Sequence, residues 1–265
     1  MTSRNLLLSG IPRDNLYTWR KFYDFDNEGK DVEWTEEADS GGTIVLSSGG
    51  GTGAIRLTTG STLNDAVSIR TFQTSSFNED YVQRVIEVAM RIHIHQTTTA
   101  KAVLCGWGYT SANYRDFISD GGLAVDWSGK EFIGFFAKAG DENWWVATSS
   151  NLDGTFNETR TNVKTNQYNP LSKQGWQTLR FVAQRDRGDV VYVKYFIDPI
   201  GYGDYAVVQD EFQKPITHIH NVEDSTSSAT FATIKNATAI KERLWLDWWA
   251  INVPRSVIET DGAVP

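Results

Sequence analysis

An all-β antiparallel sandwich or barrel is the fold class that this 265-residue sequence predicts. Three observations carry that expectation. Ten Trp, ten Tyr and thirteen Phe stand beside 22 Gly and only two Met, and aromatic side chains suit the half-buried pleated surface of a sheet. Short apolar runs alternate with turn signals: Ser48 followed by three glycines, Asp120-Gly-Gly, Asp153-Gly and Arg187-Gly-Asp. Between them no amphipathic helical period recurs, which favours antiparallel strands over βαβ units.

In chain order, strands are expected at residues 43–47, 54–58 and 66–72. The clearest follows at 85–95, where Ile86, Val88, Met90, Ile92 and Ile94 alternate with Glu87, Ala89, Arg91, His93 and His95. A strict period of two gives that strand one apolar face. Further strands are expected at 102–108, 122–127, 132–137, 176–183 and 189–197. The last, 244–253, ends before Pro254, which cannot donate to a continuing ladder. Residues 232–243 read as one or two helical turns. No composition break divides the middle of the chain, so one domain is expected over 15–254, with an N-terminal arm (1–14) and a C-terminal tail (255–265).

Composition narrows the function classes. Hydrophobic residues at 40% and charged residues at 22% exclude a mostly disordered chain. With 25 Lys and Arg against 33 Asp and Glu, the net charge of −8 argues against nucleic acid or an anionic membrane as the main partner. One cysteine, Cys105, leaves no internal disulfide framework. The apolar run Leu6-Leu7-Leu8 is shorter than the ~7–15 residues of a signal-peptide core. No run reaches the ~18 apolar residues of a membrane span. A soluble protein without export signal or membrane insertion is the expectation.

The order of several pieces resembles the concanavalin A-like (laminin G-like) jelly roll, particularly versions in structural proteins of tailed bacteriophages and related viruses. The resemblance runs through Tyr23-Asp-Phe-Asp, Trp34, the glycine-rich hairpin from Gly49 and Asn64-Asp-Ala-Val-Ser-Ile. It continues through Trp176-Gln-Thr-Leu-Arg-Phe, Val190-Val-Tyr-Val-Lys-Tyr-Phe-Ile-Asp and Leu246-Asp-Trp-Trp-Ala-Ile. Residues 102–107 and Trp144-Trp-Val-Ala-Thr look like that family's sugar-side strands. The paired strands of the family commonly end in Asp-Gly, whereas here Asp198 precedes Pro199-Ile200-Gly201. The resemblance covers most of residues 20–253. It implies a two-sheet jelly roll and a structural component of a virion, such as a capsid decoration, turret or tail-associated protein. It also implies homo-oligomers, other virion proteins as partners and host surface polysaccharide as a ligand. Fold does not fix function, so a polysaccharide-degrading enzyme and a stand-alone lectin stand as rivals.

Few motifs carry chemistry. The four histidines form two H-x-H pairs, His93/His95 and His218/His220, and on a strand each pair would present two imidazoles to one face. Arg91 shares the face of His93 and opposes a cation there. Asp24, Asp26 and Glu28, with Gly29 sixth in the run, copy the opening of an EF-hand loop, yet the twelfth position is Thr35 instead of the bidentate Glu. No metal or other cofactor is therefore expected, with calcium the weak exception. The Glu-x-Asp-x-x-Glu spacing of laminarinase-type enzymes is absent, although Asp120, Asp126 and Glu131 form one loose acidic set and Asp141 with Glu142 another. A lyase would need a Tyr or His base beside Arg or Lys; His93, Arg91 and Tyr109 are the scattered residues of that type. Cys105 lies in an apolar strand and reads as a buried, inert thiol. The best functional signal is aromatic. Trp107, Tyr109, Tyr114, Trp144 and Trp145 lie beside polar turns, the combination that sugar recognition uses.

Overall fold

The computed structural model describes residues 18–24, 34–47, 53–71, 85–94, 100–110, 113–122, 124–150, 153–165, 175–185, 190–198, 206–210, 216–221 and 228–254. The strands are β1 (Thr18–Asp24), β2 (Trp34–Ala38), β3 (Thr43–Ser47), β4 (Ala54–Thr58), β5 (Ala66–Thr71), β6 (Val85–Ile94), β7 (Lys101–Thr110) and β8 (Lys130–Ala137). They continue with β9 (Asn143–Ser149), β10 (Phe156–Lys164), β11 (Trp176–Arg185), β12 (Val190–Asp198), β13 (Ala206–Val207), β14 (Thr217–Asn221), β15 (Ala229–Asn236) and β16 (Arg243–Pro254). Every strand pair among them is antiparallel.

These strands form two sheets. One has nine strands in the order β13-β12-β11-β6-β16-β4-β3, with β1 added to β16 and β14 to β12. The other has seven, β10-β9-β8-β7-β15-β5-β2. The neighbours β6–β16 and β15–β5 are far apart in sequence, which makes this a jelly roll and not a meander. Between the sheets lies one apolar core, built from Ile86, Val88, Met90 and Ile92 of β6, Leu179 and Phe181 of β11, Trp107 of β7 and Phe135 of β8, with Trp249 of β16. The Cys105 thiol belongs to this core, where burial pushes it far above its ordinary range. Among the described residues no helix is long and apolar enough to cross a membrane.

A third layer covers the seven-stranded sheet. Residues 113–122 and 124–127, where a strand was expected at 122–127, instead form two 3-10 turns, Tyr114–Phe117 and Asp120–Gly122, and a single bridge, Ile118 to Val125. Gly121 and Gly122 take positive φ, 80° and 67°, which turns the chain back on itself there. The segment lays Tyr114, Phe117, Ile118, Val125 and Trp127 on Leu104, Phe132, Phe136 and Phe231, making a second apolar cluster outside the sandwich. Phe132 stacks on Trp127 at 5.5 Å. Gly106 makes room for that ring, since a Cβ there would lie 2.8 Å from Phe132 Cε2 and 2.2 Å from the Ile133 carbonyl.

That layer explains the second correction. Residues 232–243 are not helical: β15 runs through 229–236 with every residue buried, because Phe231 faces the outer cluster while Ala232 and Ile234 face the core. A helix would bury one stripe only. The bend that follows is pinned by polar contacts. Lys101 pairs with Glu242 at 2.6 Å, Asn236 Nδ2 donates to the Gly60 carbonyl, and the Glu242 N–H donates to Thr59 Oγ1. The arm and tail, 1–14 and 255–265, lie outside the described residues.

Candidate functional site

The five aromatics singled out in the sequence do not form a sugar platform, and burial is the reason for most of them. Trp107 is 1% exposed, Trp144 0% and Tyr114 2%. Strand alternation sends Trp107 and Trp144 inward. Trp144 Nε1 donates to Gln177 Oε1 at 2.9 Å, across the sandwich to β11. Tyr114 lies in the outer apolar layer, donates to the Gly108 carbonyl and meets Phe231 edge-on at 4.7 Å. Burial pushes its hydroxyl up to about 12. Trp145 points outward, but the Lys138 ammonium sits 3.7 Å from its ring centroid and its Nε1 is bound by Asp141 Oδ2. Tyr109 is half-buried on β7.

The acidic sets also separate. Asp126 pairs with Lys130 and Asp120 with Lys235, each at 2.8–2.9 Å, while Glu131 is fully buried. Asp141 sits in an open cleft with Lys138, Asn143 and Arg160 at the end of the β8–β9 hairpin. Arg160 binds it through Nε and Nη2, both at 2.9 Å. Glu142 pairs with Lys164 at 2.9 Å, and Lys138 pairs with Glu158. Each carboxylate already holds a cation, so this cleft is a charge knot and not an acid–base pair.

That knot gives a pH-dependent term. The Arg160 hydrogen bonds, aided by the Asn143 N–H and Trp145, hold the Asp141 carboxyl at about 2 against an ordinary 3.8. A depressed folded-state value stabilises above the unfolded one and is lost as pH falls from 3.8 towards 2. With screening at this partly exposed site the contribution is about 1–2 kcal/mol. Asp141→Asn is expected to lower thermal stability by that amount at pH 7 and to melt with the parent near pH 2. A gap of constant size over that range would refute the assignment.

The histidine pairs do not share an ion. β6 and β14 are separated by β11 and β12, three strand spacings or roughly 14 Å. The register sets His218 in line with Ile86, a further seven residues or roughly 23 Å along β6 from His93. His218 faces inward, with Nε2 3.0 Å from Thr159 Oγ1 and Nδ1 3.2 Å from the Tyr195 hydroxyl. His95 and the side chain of His220 lie outside the described residues, as do Asp26 and Glu28; of Asp24 only the backbone is described, opposite Trp248. Among the described residues no group of three or more His, Cys, Asp or Glu is placed to hold a metal.

The outer face of the nine-stranded sheet gathers what the sequence reading scattered. His93 of β6 is directly opposite Trp176 of β11 on one side and Trp245 of β16 on the other. Its ring lies 5.5 Å from Trp176 and 5.3 Å from Trp245, tilted by 44° and 43°. The register extends this row to Arg56 of β4. All four residues are only partly buried. They face away from the core because their neighbours Ile92, Ile94, Leu244 and Leu246 fill it.

A β-bulge supplies the polar half of the site. Leu246 pairs with Ile92, but the next pairing is Trp248 with Arg91, so Asp247 is the extra residue. The bulge turns Asp247 and Trp248 to the outer face and sends Trp249 into the core. Asp247, 1% exposed, accepts from Arg91 Nη1 at 2.6 Å. Arg91 also stacks over Trp176 at 5.3 Å. Asp247 Oδ1, Arg91 Nε and Arg56 Nε are buried atoms without a hydrogen-bond partner. Further along the face Glu87 pairs with Arg180, whose guanidinium covers Phe196 at 4.9 Å. Of the scattered lyase-type set, Arg91 and His93 meet here, whereas Tyr109 belongs to the other sheet.

Two antiparallel sheets wound in this order around one core define a concanavalin A-like jelly roll. No protein-family model matches the chain, and no curated protein matches it in sequence. Solved structures do. A protein of unknown function from Shewanella oneidensis MR-1 superposes with a TM-score of 0.52 at 12% identity, over 90% of this chain and 87% of that one. An endo-β-1,4-glucuronan lyase from the fungus Trichoderma reesei gives 0.51 at 12% identity, over 89% and 95%. The exoplasmic/lumenal domain of VIP36, bound to Ca2+ and Man3GlcNAc, gives 0.50 at 11% identity, over 91% and 90%. Likenesses at these identities establish the fold.

Proposed function

We propose that this chain is a carbohydrate-binding protein whose sugar site is the outer face of the nine-stranded sheet. The observation that carries this reading is the partly exposed Trp176–His93–Trp245 row beside the Arg91–Asp247 pair. Tryptophan faces pack against the C–H surfaces of a pyranose, and a partly exposed guanidinium fixed by a carboxylate donates to its hydroxyls. Here Asp247 fixes Arg91 through Nη1. Two solved structures of the same fold support the reading by name: the glucuronan lyase and the VIP36 domain with its mannose-containing ligand.

Binding without cleavage is the form of the proposal. A glycosidase pair must straddle one bond at ~5–9.5 Å. Neither of the other buried carboxylates of this face is close enough. Glu87 is tied to Arg180 and lies four residues along β6 from Arg91, roughly 13 Å. Asp198 of β12 stands three strand spacings from β16, roughly 14 Å. The virion-component role implied by the viral resemblance draws no support from these likenesses. Calorimetric titration with neutral and acidic oligosaccharides, with reducing ends counted in parallel, is the test. Saturable binding with no new reducing ends is expected. New chain ends would convert the reading to an enzyme, and silence towards every glycan would remove it.

A further inference from the structure

Five arginines among the described residues are matched to acids. Arg91 pairs with Asp247, Arg115 with Asp39, Arg160 with Asp141, Arg180 with Glu87, and Arg70 approaches Glu37 at 3.5 Å. Arg56 breaks the pattern. It lies on β4, one strand in from the β3 edge of the nine-stranded sheet, between Val45 of β3 and Trp245 of β16. Among the described residues it has no ion pair, and its buried Nε makes no hydrogen bond. This costs stability, because the Nε–H has surrendered water without gaining an acceptor. Two strands away, Arg91 also leaves Nε unpartnered.

We infer that the glycan taken by this face is acidic, with Arg56 receiving its oxyanion at the Trp245 end of the aromatic row. The inference rests on the sugar-binding reading above and names the chemistry of the ligand. A guanidinium presents two parallel N–H donors that match a carboxylate or a sulfate bidentately, which lysine does not reproduce. Asp247, two residues along β16 from Trp245, fixes the Arg91 guanidinium beside the same row. The net charge of −8 does not prevent this, because at physiological salt charges beyond ~8 Å are screened and the nearest guanidinium dominates.

The test is titration of the full chain with three ligands of one linkage: β-1,4-linked glucuronate oligosaccharides, the cello-oligosaccharides that are their carboxyl-reduced counterparts, and sulfated cello-oligosaccharides. An acidic ligand is expected to bind at least tenfold more tightly than the neutral one, and that advantage is expected to shrink at 0.5 M salt. The ratio of the two acidic arms tells carboxylate from sulfate. Arg56→Gln is expected to erase the preference, lowering affinity for the acidic ligands at least tenfold, with a melting temperature no lower than the parent's. Equal affinity for the three ligands, or a preference that survives in Arg56→Gln, overturns the acidic-ligand inference while sparing the sugar-binding reading. No binding in any arm overturns both.

Discussion

Loss of glycan affinity by a factor of about 1,000 is the expected result of replacing Trp176 and Trp245 together by alanine. Buried aromatic anchors at a binding surface contribute about 2 kcal/mol each, ~30-fold per ring. The two rings flank His93 on adjacent strands, so a pyranose chain crossing the row meets both. Each single variant should lose about 30-fold. The cost to the fold is small by comparison, since both rings are partly exposed and lie outside the main core. Titration of the parent, the two single variants and the double variant checks this, with circular dichroism to show that the sheets persist. A double variant that binds as the parent does would move the sugar site elsewhere.

The opposite pattern is expected at Trp144. Truncation to alanine should destabilise the protein by about 3–5 kcal/mol, because a fully buried indole leaves a cavity and strips Gln177 Oε1 of its donor. In a chain of this length that is a drop of about 10 °C or more in melting temperature. Trp145→Ala, its neighbour on the outward face, should cost much less. Glycan affinity of the folded fraction should not change in either variant. Should Trp144→Ala instead weaken binding and melt normally, the indole would belong to a ligand site and not to the core.

Much of the fold was legible because strand alternation is local. Residues 43–47 and 54–58 are strands at the expected bounds, and the period of two over 85–95 correctly placed Ile86 to Ile94 on the core face. The polar strands were not legible. β2 and β10 sit at the two edges of the seven-stranded sheet, where half of each strand meets water and Thr, Glu, Asn and Arg replace the apolar residues that mark a strand. The strand expected at 122–127 was missed for a different reason. Val125 and Trp127 do bury their side chains, but on the outside of a sheet and not within one.

For the site, the sequence presented aromatics beside turns, and most of those proved to be core. Trp144 and Trp145 are adjacent, so one must point in and one out. The indoles that remain available, Trp176 and Trp245, are 69 residues apart and meet only across His93. Nothing local could show that, nor that an extra residue in Leu246-Asp-Trp-Trp would swing Asp247 to the same face. The sequence alone determined an all-β antiparallel chain, an inert cysteine and an acidic balance, because composition, alternation and turn chemistry are properties of short segments. The jelly roll was implied only by the resemblance of its pieces to a known family. Which face carries the working residues was decided by the tertiary structure. That choice depends on strand order and register, and on the segment that roofs one sheet with Phe117 and Trp127 while leaving the Trp176–His93–Trp245 row partly open on the other.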